Sequence, residues 1–211
     1  MKNGFSLIEA LFVTVVMSLV LGSIFGVAYR AQLSFDEEKR FTETSQQARV
    51  ATDEIARYIR QAGNDPLGCL RTLPGGPYPA VERFGPHRVR IRTDITGSFN
   101  GPGGTTGDPD GRLSSPMEDV TIGYLPGSNQ VYLVDNALGA TPQILADNID
   151  SFGFLYQDST GGNPGSSFGI AAVDVLMVAQ TPRSMVNRIN TVRYRSHVFV
   201  RSKTFDVFAT Q

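Results

Sequence analysis

Residues 5–29 read FSLIEALFVTVVMSLVLGSIFGVAY, 25 positions with a single charge, Glu9, closed by Arg30. About 20 apolar residues span a hydrocarbon core, so the run can cross a bilayer with some tilt. A cleaved secretory signal has a shorter apolar core followed by a small-residue site. Val27-Ala28-Tyr29-Arg30 is a poor site of that kind. A core helix of a soluble domain would not be apolar all round for this length. A plain membrane anchor fits the length but leaves Glu9 without a purpose.

An ionised group within hydrocarbon costs about 2.5–3.5 kcal/mol at mid-bilayer on insertion scales, and less near a helix end. Glu9 lies near such an end and still requires a cation. The apolar run offers none, so the partner must be a newly exposed amine or another molecule. An amine and a carboxylate that meet only between subunits neutralise each other, whereas either one alone is an unpaired buried charge. Such a pair rewards correct stacking and penalises slips.

Gly4-Phe5-Ser6-Leu7-Ile8-Glu9, preceded by Lys2, resembles the processing motif of type IV prepilins and type II secretion pseudopilins. Residues 1–4 correspond to the short basic leader, held on the cytoplasmic side by its positive charge. The resemblance implies that a prepilin peptidase cuts between Gly4 and Phe5 and methylates the new amine of Phe5. Glu9 would then pair with the N-terminal amine of a neighbouring subunit.

From Arg30 the chain turns polar without turning into loop, and no proline occurs between residues 5 and 62. Ala48, Thr52, Ile55, Ile59 and Ala62 recur at spacings of 4, 3, 4 and 3, which is one stripe along a helix. Gly63 before Asn64-Asp65-Pro66 supplies a stop. One helix over 5–62 is therefore expected, about 87 Å long at 1.5 Å per residue. Residues 5–29 would be its membrane or filament-core half and 30–62 its amphipathic continuation. Gly22 and Gly26 suggest either local loosening or close helix–helix packing at small residues.

Residues 63–211 read as a β-rich head. Strands are expected at His87–Thr93, Asp119–Leu125, Gln130–Val134, Phe152–Gln157, Ala171–Gln180 and Thr191–Ser202, with a hairpin turn at Pro126-Gly127-Ser128-Asn129. One long helix followed by short strands implies an α+β fold, with an antiparallel meander packed on the helix stripe. Arg88, Arg90 and Arg92, and again Arg193, Arg195 and Arg201, fall on alternate positions. That is the ordinary pattern of a solvated sheet face. The functional alternative is a surface that meets acidic neighbouring subunits, or DNA.

Lys and Arg total 19 against 20 Asp and Glu, which argues against a dedicated nucleic-acid binder. The balance is flat, with 7 basic and 7 acidic residues before Gly63 and 12 and 13 from it onward. The 26 residues from Asp94 to Asp119 contain six glycines and three prolines, too long a run for a routine connection. Asp108, Asp110, Glu118 and Asp119 place four carboxylates there. A solvent loop is the first reading and a calcium site the second, without EF-hand spacing.

Cys69 is the single cysteine, expected as a partly buried small hydrophobe. His87 and His197 have no carboxylate or cysteine at triad-like or ligand spacing. No phosphate-binding glycine motif opens onto a helix, and no nucleophile elbow is present. The chain reads as a non-enzyme with no cofactor beyond that calcium alternative.

Arg49-Val50-Ala51, Arg57 to Gly63 and Gly68-Cys69, together with Leu145 to Phe152 and Phe154-Leu155-Tyr156, resemble stretches of PilW-type minor pilins and J-type minor pseudopilins. The resemblance implies a minor subunit that helps to initiate a filament. Its partners would be other pilins or pseudopilins, the prepilin peptidase and an inner-membrane assembly platform. The protein would cross the bacterial inner membrane once, head in the periplasm, before entering a pilus or pseudopilus. A major pilin is the alternative within this class. A single-pass anchored protein whose head binds DNA or a ligand is the alternative outside it.

Overall fold

The computed structural model describes residues 7–97, 107, 109–181 and 190–200. Gly4, Phe5, the leader, Asp108, Arg201 and the end expected for the last strand lie outside these residues. The fold is α+β, with one long helix and two antiparallel sheets.

Helix α1 runs Leu7–Gln61 without interruption. The chain divides into two compact units, Met1–Thr42 and Glu43–Gln211, and α1 contributes to both. In the first unit the helix carries its apolar residues on the outside, with Leu7 at 84% and Phe25 at 70% exposure. Gly22 and Gly26 sit inside regular helix, and a methyl group at either would touch nothing. Neither glycine marks a break in the helix or a contact with another described residue.

In the second unit the stripe is buried: Ala48, Ile55 and Ile59 are inaccessible, and Thr52 and Ala62 nearly so. Thr44, Ala51, Ala56 and Tyr58 widen it. A contact face commonly spans more than 100° of a helix, so a five-residue stripe understates it. The helix ends one residue before the expected stop. Gly63 takes φ 72° and donates its N–H to the Arg92 carbonyl at 2.9 Å. A left-handed residue in that place suits glycine, which has no Cβ to clash.

A single turn, α2 (Cys69–Thr72), follows. The first sheet then forms as a meander of β1 (Val81–Arg83), β2 (Arg88–Arg92), β3 (Asp119–Leu125), β4 (Gln130–Asp135) and β5 (Gln143–Ala146). The second holds β6 (Ile149–Gln157), β7 (Ala172–Gln180) and β8 (Thr191–Phe199), also in chain order. All six expected strands are present, and the Pro126–Asn129 turn joins β3 to β4. The expectation of one sheet is corrected to two.

Two local features divide the sheets. The β4–β5 register shifts between Val131 and Tyr132, and Asn148 takes φ 57° between β5 and β6. Asparagine tolerates that left-handed region, and β6 pairs with β7 instead of continuing the first sheet. The short strands β1 and β5 escaped the sequence reading because three or four residues carry too little alternation to register. At Gly123 a Cβ would lie 2.5 Å from the Tyr132 hydroxyl across the β3–β4 pair. A side chain there would displace the Tyr132 ring that lies over this position.

One apolar cluster takes side chains from the helix stripe and from both sheets. It includes Val89, Ile91, Val120, Ile122, Val131 and Leu133 from the first sheet, and Phe152, Phe154, Val173, Val175 and Met177 from the second. Tyr194 on β8 ties the second sheet to the helix, its hydroxyl 2.6 Å from Ser45 Oγ. Truncating a buried isoleucine to alanine typically costs about 2–5 kcal/mol. Ile55→Ala should therefore lower the free energy of unfolding by about that amount. Val50→Ala, at a site 67% exposed, should change it by less than about 0.5 kcal/mol. Chemical denaturation of both variants in detergent checks the pair, and equal losses would contradict the packing described.

Candidate functional site

Three regions carry the charged groups singled out by sequence. The first is the start of α1. Glu9 lies in its first turn, is exposed, and forms no ion pair with any described residue. Around it, residues of the first unit make up a helix whose best 18-residue window has mean hydropathy 2.4 and no buried share. By length and composition that helix can cross a membrane.

The second region is the long loop. Asp119, expected among its free carboxylates, instead belongs to the sheet. Arg90 grips it with Nε to Oδ1 at 2.6 Å and Nη2 to Oδ2 at 2.5 Å, and Asn136 Nδ2 donates to Oδ1 at 3.0 Å. The hydrogen bonds that Arg90 donates to Asp119 hold its guanidinium above its ordinary pKa. In its place Asp94 joins Asp110 and Glu118, with carboxylate oxygens within 4.8 Å of one another.

Asp94 and Glu118 are fully buried, so the plain solvent loop is corrected at these positions. Asp94 accepts from the amides of Asp110 at 3.2 Å and Gly111 at 3.0 Å. Glu118 accepts from Ile95 at 3.2 Å, Thr96 at 2.9 Å and Ser115 at 3.1 Å. These carboxylates fold the loop by gathering its N–H groups. Calcium takes six to eight oxygens; three carboxylates supply part of such a shell, and backbone amides already claim both oxygens of Asp94 and of Glu118. Cys69 sits beside Asp65 and Asp94, fully buried rather than partly so. Burial first, then the hydrogen bond with Asp65, push its thiol up to about 12. It is protonated and unreactive at neutral pH.

The third region comprises the arginine-bearing strands. A solvated face describes Arg88, Arg193 and Arg195, but not Arg90 or Arg92. Arg92 is 3% exposed, pairs with Glu82 Oε2 at 2.5 Å and lies 5.0 Å from the Tyr78 ring centroid. Its counter-ion sits on β1, a strand too short to show in the alternation of the sequence. On β7, Asp174 is fully buried and accepts from His197 Nδ1 at 2.8 Å, Arg195 Nη2 at 2.9 Å and Gln157 Nε2 at 3.2 Å.

Although no carboxylate stands at triad-like spacing from it in the sequence, His197 thus has a carboxylate partner in Asp174. The two residues face each other across β7 and β8, a relation that sequence spacing cannot reveal. Desolvation raises the Asp174 carboxyl, but the hydrogen bonds from Arg195 and His197 outweigh it and leave its pKa lowered. His87 Nδ1 meets the Phe152 carbonyl at 2.5 Å. Among the described residues, no hydroxyl or thiol hydrogen-bonds to either histidine.

No family model, curated protein or solved structure matches this chain.

The buried carboxyls set opposite pH responses. Burial raises the pKa of Asp94 and Glu118 above the usual 3.8 and 4.5. The folded protein then binds those protons more tightly than the unfolded chain. Their stabilising contribution is full below the unfolded pKa and is lost as pH rises through the folded one. Asp174 works in the opposite sense, stabilising above 3.8 and failing as pH falls through its lowered value. Melting temperature should thus rise as pH is lowered from neutral toward the unfolded values of 4.5 and 3.8, then fall below 3.8 as Asp174 is protonated. Asp110→Asn removes a neighbouring charge that raises Asp94, and should flatten the rise on the acid side of neutrality. A profile unchanged by that substitution would count against mutual repulsion in the cluster.

Proposed function

We propose that this protein is a minor subunit of a type IV filament or of a type II secretion pseudopilus, made as a prepilin and anchored in the inner membrane before assembly. One observation carries the reading: α1 is a single helix whose first half is apolar on every side, with one carboxylate, Glu9, that no described residue neutralises. A helix of that kind is suited to hydrocarbon, or to a bundle of like helices. The unpaired carboxylate then requires a cation from outside the chain. The motif Gly4-Phe5…Glu9 supplies that cation if cleavage frees the amine of Phe5 and a neighbouring subunit presents it.

The second half of α1 holds the head through the buried stripe and leaves the first half free for neighbours. In this reading the protein acts structurally. It contributes a helix to a filament core and a head to its surface, and it assists initiation with other pilins or pseudopilins. The prepilin peptidase and the assembly platform act on it before that step.

Mass spectrometry of protein recovered from filaments should give a first residue of N-methylated Phe5. Intact Met1 there would contradict processing and favour a plain anchor. Glu9→Ala should still reach the membrane in normal amount but enter filaments at a small fraction of the wild-type level. Subcellular fractionation followed by immunodetection in sheared filaments measures both quantities. Normal incorporation would remove the charge-pair argument.

A further inference from the structure

Strand β8 ends the second sheet, and its outer edge is open among the described residues. Its hydrogen-bond phase is fixed at both ends: Val200 N–H donates to the Ala171 carbonyl at 2.9 Å and Thr181 N–H to the Asn190 carbonyl at 3.0 Å. Bonded and non-bonded pairs alternate in an antiparallel ladder. Val192, Tyr194, Ser196 and Val198 therefore bond to β7. The N–H and C=O groups of Arg193, Arg195, His197 and Phe199 point away from it, and no described group meets them. The edge of β6 differs, because Phe154 N–H is taken by the Pro86 carbonyl at 2.8 Å and the 84–88 segment crosses it.

Side chains of β8 alternate in the same phase. Tyr194 and Val198 face the core, whereas Arg193, Arg195, His197 and Phe199 are exposed on the opposite face, Phe199 at 65%. Arg195 and His197 are held by buried Asp174, so their orientation is fixed before any partner arrives. Arg193 contacts no described charged group. The edge thus presents a row of backbone groups beneath two arginines, Arg193 and Arg195, with His197 beside them.

A second copy is a poor occupant of this edge. Antiparallel pairing about Arg195 would set Arg195 against Arg195 and Arg193 against His197. Parallel in-register pairing would stack each on its equivalent. Like charges directly opposite are destabilising in a sheet. A strand with carboxylates on one face and apolar residues on the other would complement both rows. It would gain ladder hydrogen bonds along one side and cross-strand ion pairs on the exposed face.

We propose that β8 is a docking edge for an extended segment of a different protein, one that alternates acidic and apolar residues and adds to the second sheet as a fourth strand. The inference rests on the head alone and does not depend on leader cleavage or on filament membership.

The test uses the full-length chain in detergent micelles and two synthetic probe peptides, one alternating Val and Glu and the other alternating Val and Lys. The acidic probe should bind several-fold tighter, the combined effect of cross-strand charge pairs at Arg193 and Arg195, and should weaken as salt is raised. Hydrogen exchange should show the amides of Arg193, Arg195 and His197 fast in the free protein and protected with the acidic probe. Arg193→Glu, at an exposed site, should keep the fold by circular dichroism and reverse the preference between probes. Equal binding of the two peptides, no change in those amides, or amides already protected in the free protein would each overturn the proposal.

Discussion

Burial of one helical face holds the head together. The side chains of Ala48, Thr52, Ile55 and Ile59 lie within the apolar cluster that both sheets enter, and Thr52 Oγ1 reaches Met177 at 3.7 Å. Small residues at 48, 51, 52 and 56 allow close approach, while Ile55 and Ile59 fill the space between. Both sheets bury their inner faces in that shared cluster with the helix stripe. The same helix continues toward its N-terminus with no such partner among the described residues. A single element thus meets a protein interior over one part and an exposed apolar surface over the other.

Polar groups then decide the detail within the head. Arg90 with Asp119 and Arg92 with Glu82 lock strands β1 to β3 in register. Buried Asp94 and Glu118 gather loop amides that would otherwise lack acceptors. A buried carboxylate that satisfies several N–H groups offsets part of its desolvation, whereas removing it would leave those donors orphaned. Asp174 does the same work for the outer face of the second sheet, where it fixes His197 and Arg195.

Legibility followed the range of the interaction. Helix α1, its stop at Gly63 and the β3–β4 turn depend on residues within a few positions of one another, so periodicity and turn chemistry exposed them. Strands β1 and β5 are too short to show alternation, and the division into two sheets turns on one register shift and on Asn148. The pairing of His197 with Asp174 spans 23 residues and exists only because β7 and β8 are adjacent. Asp119 was grouped with the loop carboxylates because it stands beside Glu118, although neighbours along a strand point to opposite faces.

By itself the sequence determined an α+β chain with one long helix, apolar and singly charged in its first half and striped in its second. Hydrophobic periodicity is a local property that each residue carries regardless of its distant neighbours. Only the tertiary structure decided which charges are structural and which remain available. Arg92, Asp94, Glu118 and Asp174 are withdrawn into internal hydrogen bonds, whereas Glu9 and Arg193 are left exposed. Desolvation depends on what packs over a side chain, and that is set by strands far apart in the chain.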